Sequence, residues 1–247
     1  QLREMSKSSS DRDERIVKMM ENVNPYFIRI RKSDLSLPPV IENPPILVPM
    51  EDSQRRIYDF IEQKFVDEVN SSTDTGIHNL LVKAKMIRLQ QAATNPSLLY
   101  IPLSHFSEET TEDVSVIDDH SIMNEIMTFY DGTIPSKFKE CLNLVRRLID
   151  NGEKVVIWTI FIKNIESLQE YLNSNGIQCR ILYGATPVAE GSMEDDAYSR
   201  TREGIVKEFN NPDSKFKVTI ANPFAVAESI SLHKACHNAI YLERSFN

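Results

Sequence analysis

The stretch VVIWTIF, residues 155–161, decides the fold because it is an apolar run without a single charged residue. Three further runs rich in apolar residues follow, at 177–183 (IQCRILY), 218–221 (VTIA) and 239–242 (AIYL), and amphipathic stretches separate them. Continuous apolar runs are typical of strands that are buried on both faces of a parallel sheet. Residues 136–247 are therefore predicted to form an α/β domain, an open parallel sheet with helices on both faces.

Local signals place the helices of this domain. Pro135-Ser136 is a favourable helix opening, and Gly176 lies where a helix needs a left-handed residue before the strand at 177–183. A further helix is predicted near 197–210. The apolar stripe of the first helix consists of Phe138, Cys141, Leu142, Val145, Leu148 and Ile149.

The N-terminal part, residues 1–100, is predicted to be mainly helical. Apolar residues at helical spacing indicate helices over about 11–24, 53–69 and 76–94, the last of them ended by Asn95-Pro96. The run ILVPM at 46–50 indicates a short strand.

Residues 101–135 are predicted to be an acidic linker between these two parts. No Lys or Arg occurs between Arg88 and Lys137, and the periodicity is weak. The acidic residues in that gap are Glu108, Glu109, Glu112, Asp113, Asp118, Asp119, Glu125 and Asp131. They account for the whole formal net charge of -8, so the rest of the chain is close to neutral and basic patches on it can still face phosphates.

Composition places the chain among ordinary globular proteins, with 41% hydrophobic and 26% charged residues. No apolar run is long enough for a membrane span, and the first residues do not resemble a signal peptide. The three cysteines are widely spaced, which favours buried thiols in a reducing compartment over a disulfide framework. We therefore expect a cytoplasmic location, near the nucleoid in a bacterium or virus-infected cell, or a nuclear one in a eukaryote.

Seven segments of the sequence, taken in chain order, carry a resemblance to a known family. Three precede the α/β domain: PYFIRIRKSDLSLPP (25–39), MEDSQRRIYDFIEQKF (50–65) and IRLQQAATNPSLL (87–99). Four lie within it: VVIWTIF (155–161), ILYGAT (181–186) followed by Arg202 and Phe209, VTIANPFAVAESISLHKA (218–235) and the pair Phe246-Asn247. In this order they resemble the landmarks of Swi/Snf-type ATP-dependent DNA translocases of helicase superfamily two, from the end of the first motor lobe through motifs IV and V of the second.

The resemblance implies a second RecA-like lobe that works on double-stranded DNA together with a first lobe of the same protein. It implies that ATP and Mg²⁺ are bound mainly by that first lobe. The residues that the resemblance assigns to DNA contacts are Thr159, Thr186, Arg202 and Asn222. Those that it assigns to the ATP cleft, in the motif V-like stretch, are Glu228, Ser229 and Ser231.

Departures from the family pattern bear on activity. The motif V-like stretch reads AVAES at 225–229, where the family is rich in glycine, and Ser229 then takes a glycine position. No GxxxxGK[ST] loop occurs, and the arginines of motif VI would follow Asn247. We therefore expect no catalytic residue in this chain and no ATP hydrolysis by the chain alone. Two alternatives remain: a catalytically dead lobe that serves as a docking module, and a lobe of a strand-separating RNA or DNA helicase.

Other candidate residues have simpler interpretations. His233, Cys236 and His237 are too few for a tetrahedral metal site, so no metal site is predicted. Trp158 and Phe161 can stack on a base, but their buried strand favours core packing. Arg29, Arg31 and Lys32 suit either phosphate contacts or a solvated surface, and the sequence does not decide between the two.

Overall fold

A computed structural model describes residues 9–23, 26, 34, 39–71, 75–100, 119–191, 194–226 and 230–244. The chain divides into two units, residues 1–46 and 47–247. The described helix of the first unit is α1 (Ser9–Val23), and its apolar side chains Val17, Met20 and Val23 are exposed. None of the described helices is both long and apolar enough to cross a membrane.

The second unit begins with a layer of helices. It contains α2 (Asp52–Ser71), α3 (Thr75–Thr94), a short 3₁₀ helix (Pro96–Tyr100) and α4 (His120–Tyr130). These elements share one apolar core, and we call them the helical subdomain. The buried residues of that core are Ile57, Ile61, Ala92, Leu99, Ile122, Ile126 and Phe129.

The sheet follows, with helices alternating between its strands. In chain order the elements are α5 (Ser136–Asp150), β1 (Val155–Trp158), α6 (Ile162–Ser174), β2 (Cys179–Leu182), α7 (Asp195–Tyr198), α8 (Arg202–Phe209), β3 (Val218–Ala221), α9 (Pro223–Val226) and β4 (Asn238–Tyr241). The strands lie in the order β2-β3-β1-β4 and all pairs are parallel. Val155 pairs with Val218 on one side and with Asn238 on the other, so β1 is a central strand.

Side chains alternate between two apolar cores on opposite faces of the sheet. Val155 and Ile157 pack with α5 and α6 on one face, whereas Val156 packs with α8 on the other. This alternation follows from the period of two along a strand. It confirms the predicted α/β sheet with helices on both faces.

Several local predictions are confirmed. Helix α5 begins at Ser136, and Gly176 has a φ of 79° at the end of α6. Helix α3 ends at Thr94, immediately before Asn95-Pro96. All three cysteines are buried and unpaired.

The strand predicted at 46–50 is wrong. These residues have no regular structure, and the Leu47 side chain is 90% exposed. Pro49 has no backbone N–H to donate to a neighbouring strand, which explains why the apolar composition does not produce one.

The predicted linker 101–135 contains helix α4, so its irregular character is wrong for residues 120–130. Asp119 caps this helix by accepting the amides of Ser121 (2.8 Å) and Ile122 (3.2 Å). Ile122, Ile126 and Phe129 recur at helical spacing and are buried. The excess of acidic residues concealed this apolar face. Residues 101–118 lie outside the described part of the chain.

The helix predicted near 197–210 is divided in two. Tyr198 ends α7, and Thr201 caps α8 because its Oγ1 accepts the Gly204 amide at 3.1 Å. The backbone therefore turns between the two helices, which brings the start of α8 close to the end of β2.

Candidate functional site at the carboxyl edge of the sheet

The four parallel strands end at the same edge of the sheet, and the residues that follow them form the candidate site. We call this region the carboxyl edge and define it as residues 159–161, 183–187, 222–224 and 242–244. In open α/β sheets, ligands bind beyond the carboxyl ends of the strands. Thr159, Thr186 and Asn222 lie here, as the sequence indicated.

Thr159 is fully buried, and its polar groups form hydrogen bonds within the protein. Its hydroxyl donates to Glu243 Oε1, and its amide donates to the Ala221 carbonyl at 3.1 Å. This hydroxyl is therefore engaged by a partner within the protein.

Glu243 is the residue of this site that the sequence interpretation missed. Its Oε1 also accepts the amides of Ile160 (3.1 Å) and Phe161 (3.4 Å). Burial raises the pKa of this carboxyl, and the hydrogen bonds from Thr159 and Phe161 and the charge of Lys137 only partly oppose that effect. An acidic residue directly after a predicted buried strand was the signal that could have identified it.

Lys137, at the start of α5, is the cation that faces this carboxylate. Its Nζ lies 3.5 Å from Thr94 Oγ1 and 3.5 Å from the Leu242 carbonyl oxygen. Burial lowers the pKa of Lys137, and the nearby charge of Glu243 opposes that shift. Lys137 therefore connects the end of α3 to the residue that follows β4.

Asn222 fixes the carboxyl edge from β3. Its Nδ2 donates to the Ile160 carbonyl (3.0 Å), and its Oδ1 accepts the Phe224 amide (2.9 Å). Its own amide donates to the Leu182 carbonyl at 2.9 Å. Asn222 thus connects the ends of β1, β2 and β3 and is itself buried.

Thr186 and Arg202 form a second cluster, beside β2. The Thr186 hydroxyl accepts the Tyr183 amide (3.0 Å) and donates to the Ile181 carbonyl (3.3 Å). The guanidinium of Arg202 donates to three carbonyls, those of Tyr183 (3.1 Å), Gly184 (3.1 Å) and Thr186 (3.2 Å). This side chain therefore fastens the turn 183–187 to the first turn of α8.

Of the three residues assigned to the ATP cleft, the structure describes only Ser231. Glu228 and Ser229 lie outside the described residues, as do Arg29, Arg31, Lys32 and the pair Phe246-Asn247. Ser231 is exposed, and its hydroxyl lies 2.8 Å from His233 Nδ1. These assignments stay predictions.

The remaining candidates have structural roles. Phe161 is buried, and Trp158 packs against the core on the α8 face, as predicted. Within the described ranges, no group of three or more His, Cys, Asp or Glu side chains is placed to hold a metal ion. Burial raises the pKa of the Cys236 thiol, which suits a core residue.

No protein-family model and no curated protein matches this sequence. Solved structures do match. The SWI2/SNF2 ATPase core of Sulfolobus solfataricus is similar over 97% of this chain and 42% of its own length, with a TM-score of 0.56 and 16% identity. The same core solved with double-stranded DNA gives a TM-score of 0.53 and 15% identity over 92% of this chain and 41% of that one.

Two further solved structures are similar to this chain. The C-terminal part of the Fun30 ATPase domain matches 81% of this chain and 74% of its own length, with a TM-score of 0.52 and 19% identity. The Hef helicase domain of Pyrococcus furiosus matches 96% and 57%, with a TM-score of 0.51 and 12% identity. The chain thus has the fold of the C-terminal lobe of SWI2/SNF2 ATPases and spans less than half the length of the solved core.

Proposed function

We propose that this chain is the second lobe of an ATP-dependent motor that moves along double-stranded DNA. The supporting observation is that the likeness to SWI2/SNF2 structures extends over the helical subdomain as well as the sheet, at 81–97% of the chain. One of those similar structures was solved with double-stranded DNA. The ordered set of sequence landmarks supports the same proposal.

ATP and Mg²⁺ are assigned mainly to the first lobe of the same protein. The described residues do not fit a phosphate or metal site of their own, because the sequence has no GxxxxGK[ST] loop and the described side chains form no metal-binding group. The contribution of this lobe to the cleft would come from the stretch 225–231.

The contacts of this lobe with DNA are expected to be with phosphates, because a motor that moves over any sequence gains nothing from reading bases. Thr159 and Asn222 are engaged inside the protein, so we assign these contacts to exposed cations. Lys163 lies in the first turn of α6, and its ammonium lies 3.4 Å from the carboxylate of exposed Glu166. Arg244 is exposed beside Glu243, with its guanidinium 5.0 Å from the centre of the Tyr241 ring.

Equilibrium binding of the full-length protein to two unrelated duplexes, measured across a range of salt concentrations, tests this assignment. Lys163→Ala and Arg244→Ala should each weaken both duplexes equally and reduce the slope of log affinity against log salt by about 1. Lys217→Ala is the matched control, because Lys217 lies at the opposite edge of the sheet, before β3. Unchanged slopes in both variants would refute phosphate contacts at the carboxyl edge.

A docking module is the second candidate function. The observation that favours it is that the four predicted DNA contacts, Thr159, Thr186, Arg202 and Asn222, direct their polar groups to protein partners. A docking module would show no salt-sensitive affinity for duplex DNA, so the same titration separates the two functions. The likeness to the Hef helicase domain leaves a strand-separating helicase as a further alternative. An unwinding assay tests that alternative.

A further inference from the structure

A single carboxylate oxygen accepts three hydrogen bonds from the turn that follows β1. The oxygen is Oε1 of Glu243, which follows the neighbouring strand β4, and the donors are the Thr159 hydroxyl and the amides of Ile160 and Phe161. Phe161 is the residue before helix α6, and no side chain of its own caps that helix. The carboxylate therefore lies at the N-terminal end of α6, where the positive end of the helix dipole stabilises a negative charge.

The opposite side of the same turn is held by Asn222. Its Nδ2 donates to the Ile160 carbonyl at 3.0 Å, so both polar groups of the Ile160 backbone are bonded to side chains from neighbouring strands. A turn held from two strands has little freedom to change its φ and ψ angles. Lys163 and the rest of the first turn of α6 start directly from it.

This arrangement is costly for the fold. Glu243 is 7% exposed, and its Oε2 has no hydrogen-bond partner among the described residues. Burying a carboxylate that is not fully paired costs free energy, because the desolvated oxygen has lost its hydrogen bonds to water. An apolar side chain of similar size would avoid that cost, but it would leave the Thr159 hydroxyl and the amides of Ile160 and Phe161 without this acceptor.

We infer that Glu243 is a positioning residue, which holds the turn 159–161 and the first turn of α6 in the conformation that meets the DNA backbone. The inference rests on the proposed function. It changes the role of Thr159, which acts on DNA through Glu243 and the shape of the turn, without touching a phosphate. Asn222 has the same indirect role from the β3 side.

Three substitutions in the full-length protein test the inference. Glu243→Leu removes the acceptor, whereas Glu243→Gln keeps an acceptor oxygen for Thr159 and the two amides. Lys154→Met is the matched control for lost stability: Lys154 is also buried, it lies at the other end of β1, and its Nζ donates to the carbonyls of Phe209 (2.6 Å) and Asn211 (2.5 Å). All variants are compared well below their melting temperatures.

Two readouts are recorded for each variant: duplex affinity and the hydrogen exchange of the Ile160 and Phe161 amides. We expect Glu243→Leu to lose about tenfold in affinity and to exchange these amides at least about tenfold faster. Glu243→Gln should stay within about twofold of the wild type in both. Lys154→Met should lower the melting temperature yet keep its duplex affinity.

The inference fails if the two amides of Glu243→Leu exchange at the wild-type rate. It also fails if the affinity of Glu243→Leu falls no further than that of Lys154→Met at the same loss of melting temperature. Wild-type protein that binds no duplex would instead refute the proposed function and with it the DNA part of the inference. The exchange rates would then still decide whether Glu243 holds the turn.

Discussion

At the scale of the residue, the carboxyl edge contains the polar side chains that the sequence indicated, but their partners are inside the protein. Arg202 is the clearest case, because its guanidinium donates to the carbonyls of Tyr183, Gly184 and Thr186. The sequence could place Arg202 at the start of a helix near a strand end. It could not tell whether the side chain points to solvent or back to the turn, because that depends on the break between α7 and α8.

Arg202→Ala should therefore lower the stability of the lobe. Three carbonyls lose a charged donor, and the expected loss in the free energy of unfolding is about 2 kcal/mol. Chemical denaturation measures this loss, and duplex affinity is recorded on the same variant. Unchanged stability together with weaker binding to unrelated duplexes would return Arg202 to the list of direct DNA contacts.

Glu243 gives the lobe a specific pH dependence. Because burial raises the pKa of this carboxyl above its ordinary value of 4.5, the folded protein binds its proton more tightly than the unfolded chain does. The stability that protonation contributes is fully present below pH 4.5 and is lost as the pH rises through the folded-state pKa.

Glu243→Gln does not titrate and removes this dependence. Its free energy of unfolding relative to the wild type should therefore increase as the pH rises from about 4 to about 7, with Lys137 as the cation that faces the site in both proteins. Denaturation curves across this pH range measure the difference. A difference that is constant with pH would mean that the Glu243 carboxyl is not perturbed.

At the scale of the element, the strands and most helices follow from the periodicity of the sequence, and the errors have local causes. The run at 46–50 is apolar but contains Pro49 and finds no partner strand. Helix α4 was concealed by acidic residues, although Ile122, Ile126 and Phe129 carry its apolar face. The break between α7 and α8 depends on a close contact that only the folded chain reveals.

The close contact is between Gly204 in α8 and the backbone of Tyr198 and Ser199, and it leads to a prediction for Gly204. A Cβ at this position would lie 2.0 Å from the Tyr198 carbonyl oxygen and 3.0 Å from Ser199 Cα, both of them backbone atoms. Gly204→Ala should therefore destabilise the lobe by about 3 kcal/mol. Gly184→Ala is the control, since a Cβ there meets nothing within 4 Å. Equal melting temperatures for the two variants would contradict the close packing of α7 against α8.

At the scale of the molecule, residues 47–247 contain separate apolar cores that meet through polar contacts. Asn95 Nδ2 donates to Asn164 Oδ1 (3.0 Å), and Gln90 Nε2 donates to the Arg244 carbonyl (2.5 Å). The predicted division into residues 1–100, 101–135 and 136–247 stays a prediction, but α4, which falls within 101–135, shares an apolar core with α2 and α3. Such pairings join residues far apart in sequence, so periodicity could not predict them.

The chain alone should not hydrolyse ATP, with or without DNA. Its sequence contains no GxxxxGK[ST] loop, the motif that supplies a nest of backbone amides and a lysine to the phosphates. Steady-state phosphate release by the purified chain measures this. DNA-stimulated turnover would reveal a complete nucleotide site within residues 1–247.

The central claim is that this lobe belongs to a motor that moves along duplex DNA without separating its strands. The most direct measurement is displacement of a third strand from a DNA triplex by the full-length protein, compared with unwinding of a forked duplex of the same length. We predict ATP-dependent displacement of the third strand, reduced in Glu243→Leu, and no unwinding of the fork. Unwinding of the fork would identify a strand-separating helicase, and the absence of both activities would contradict the motor and favour the docking module.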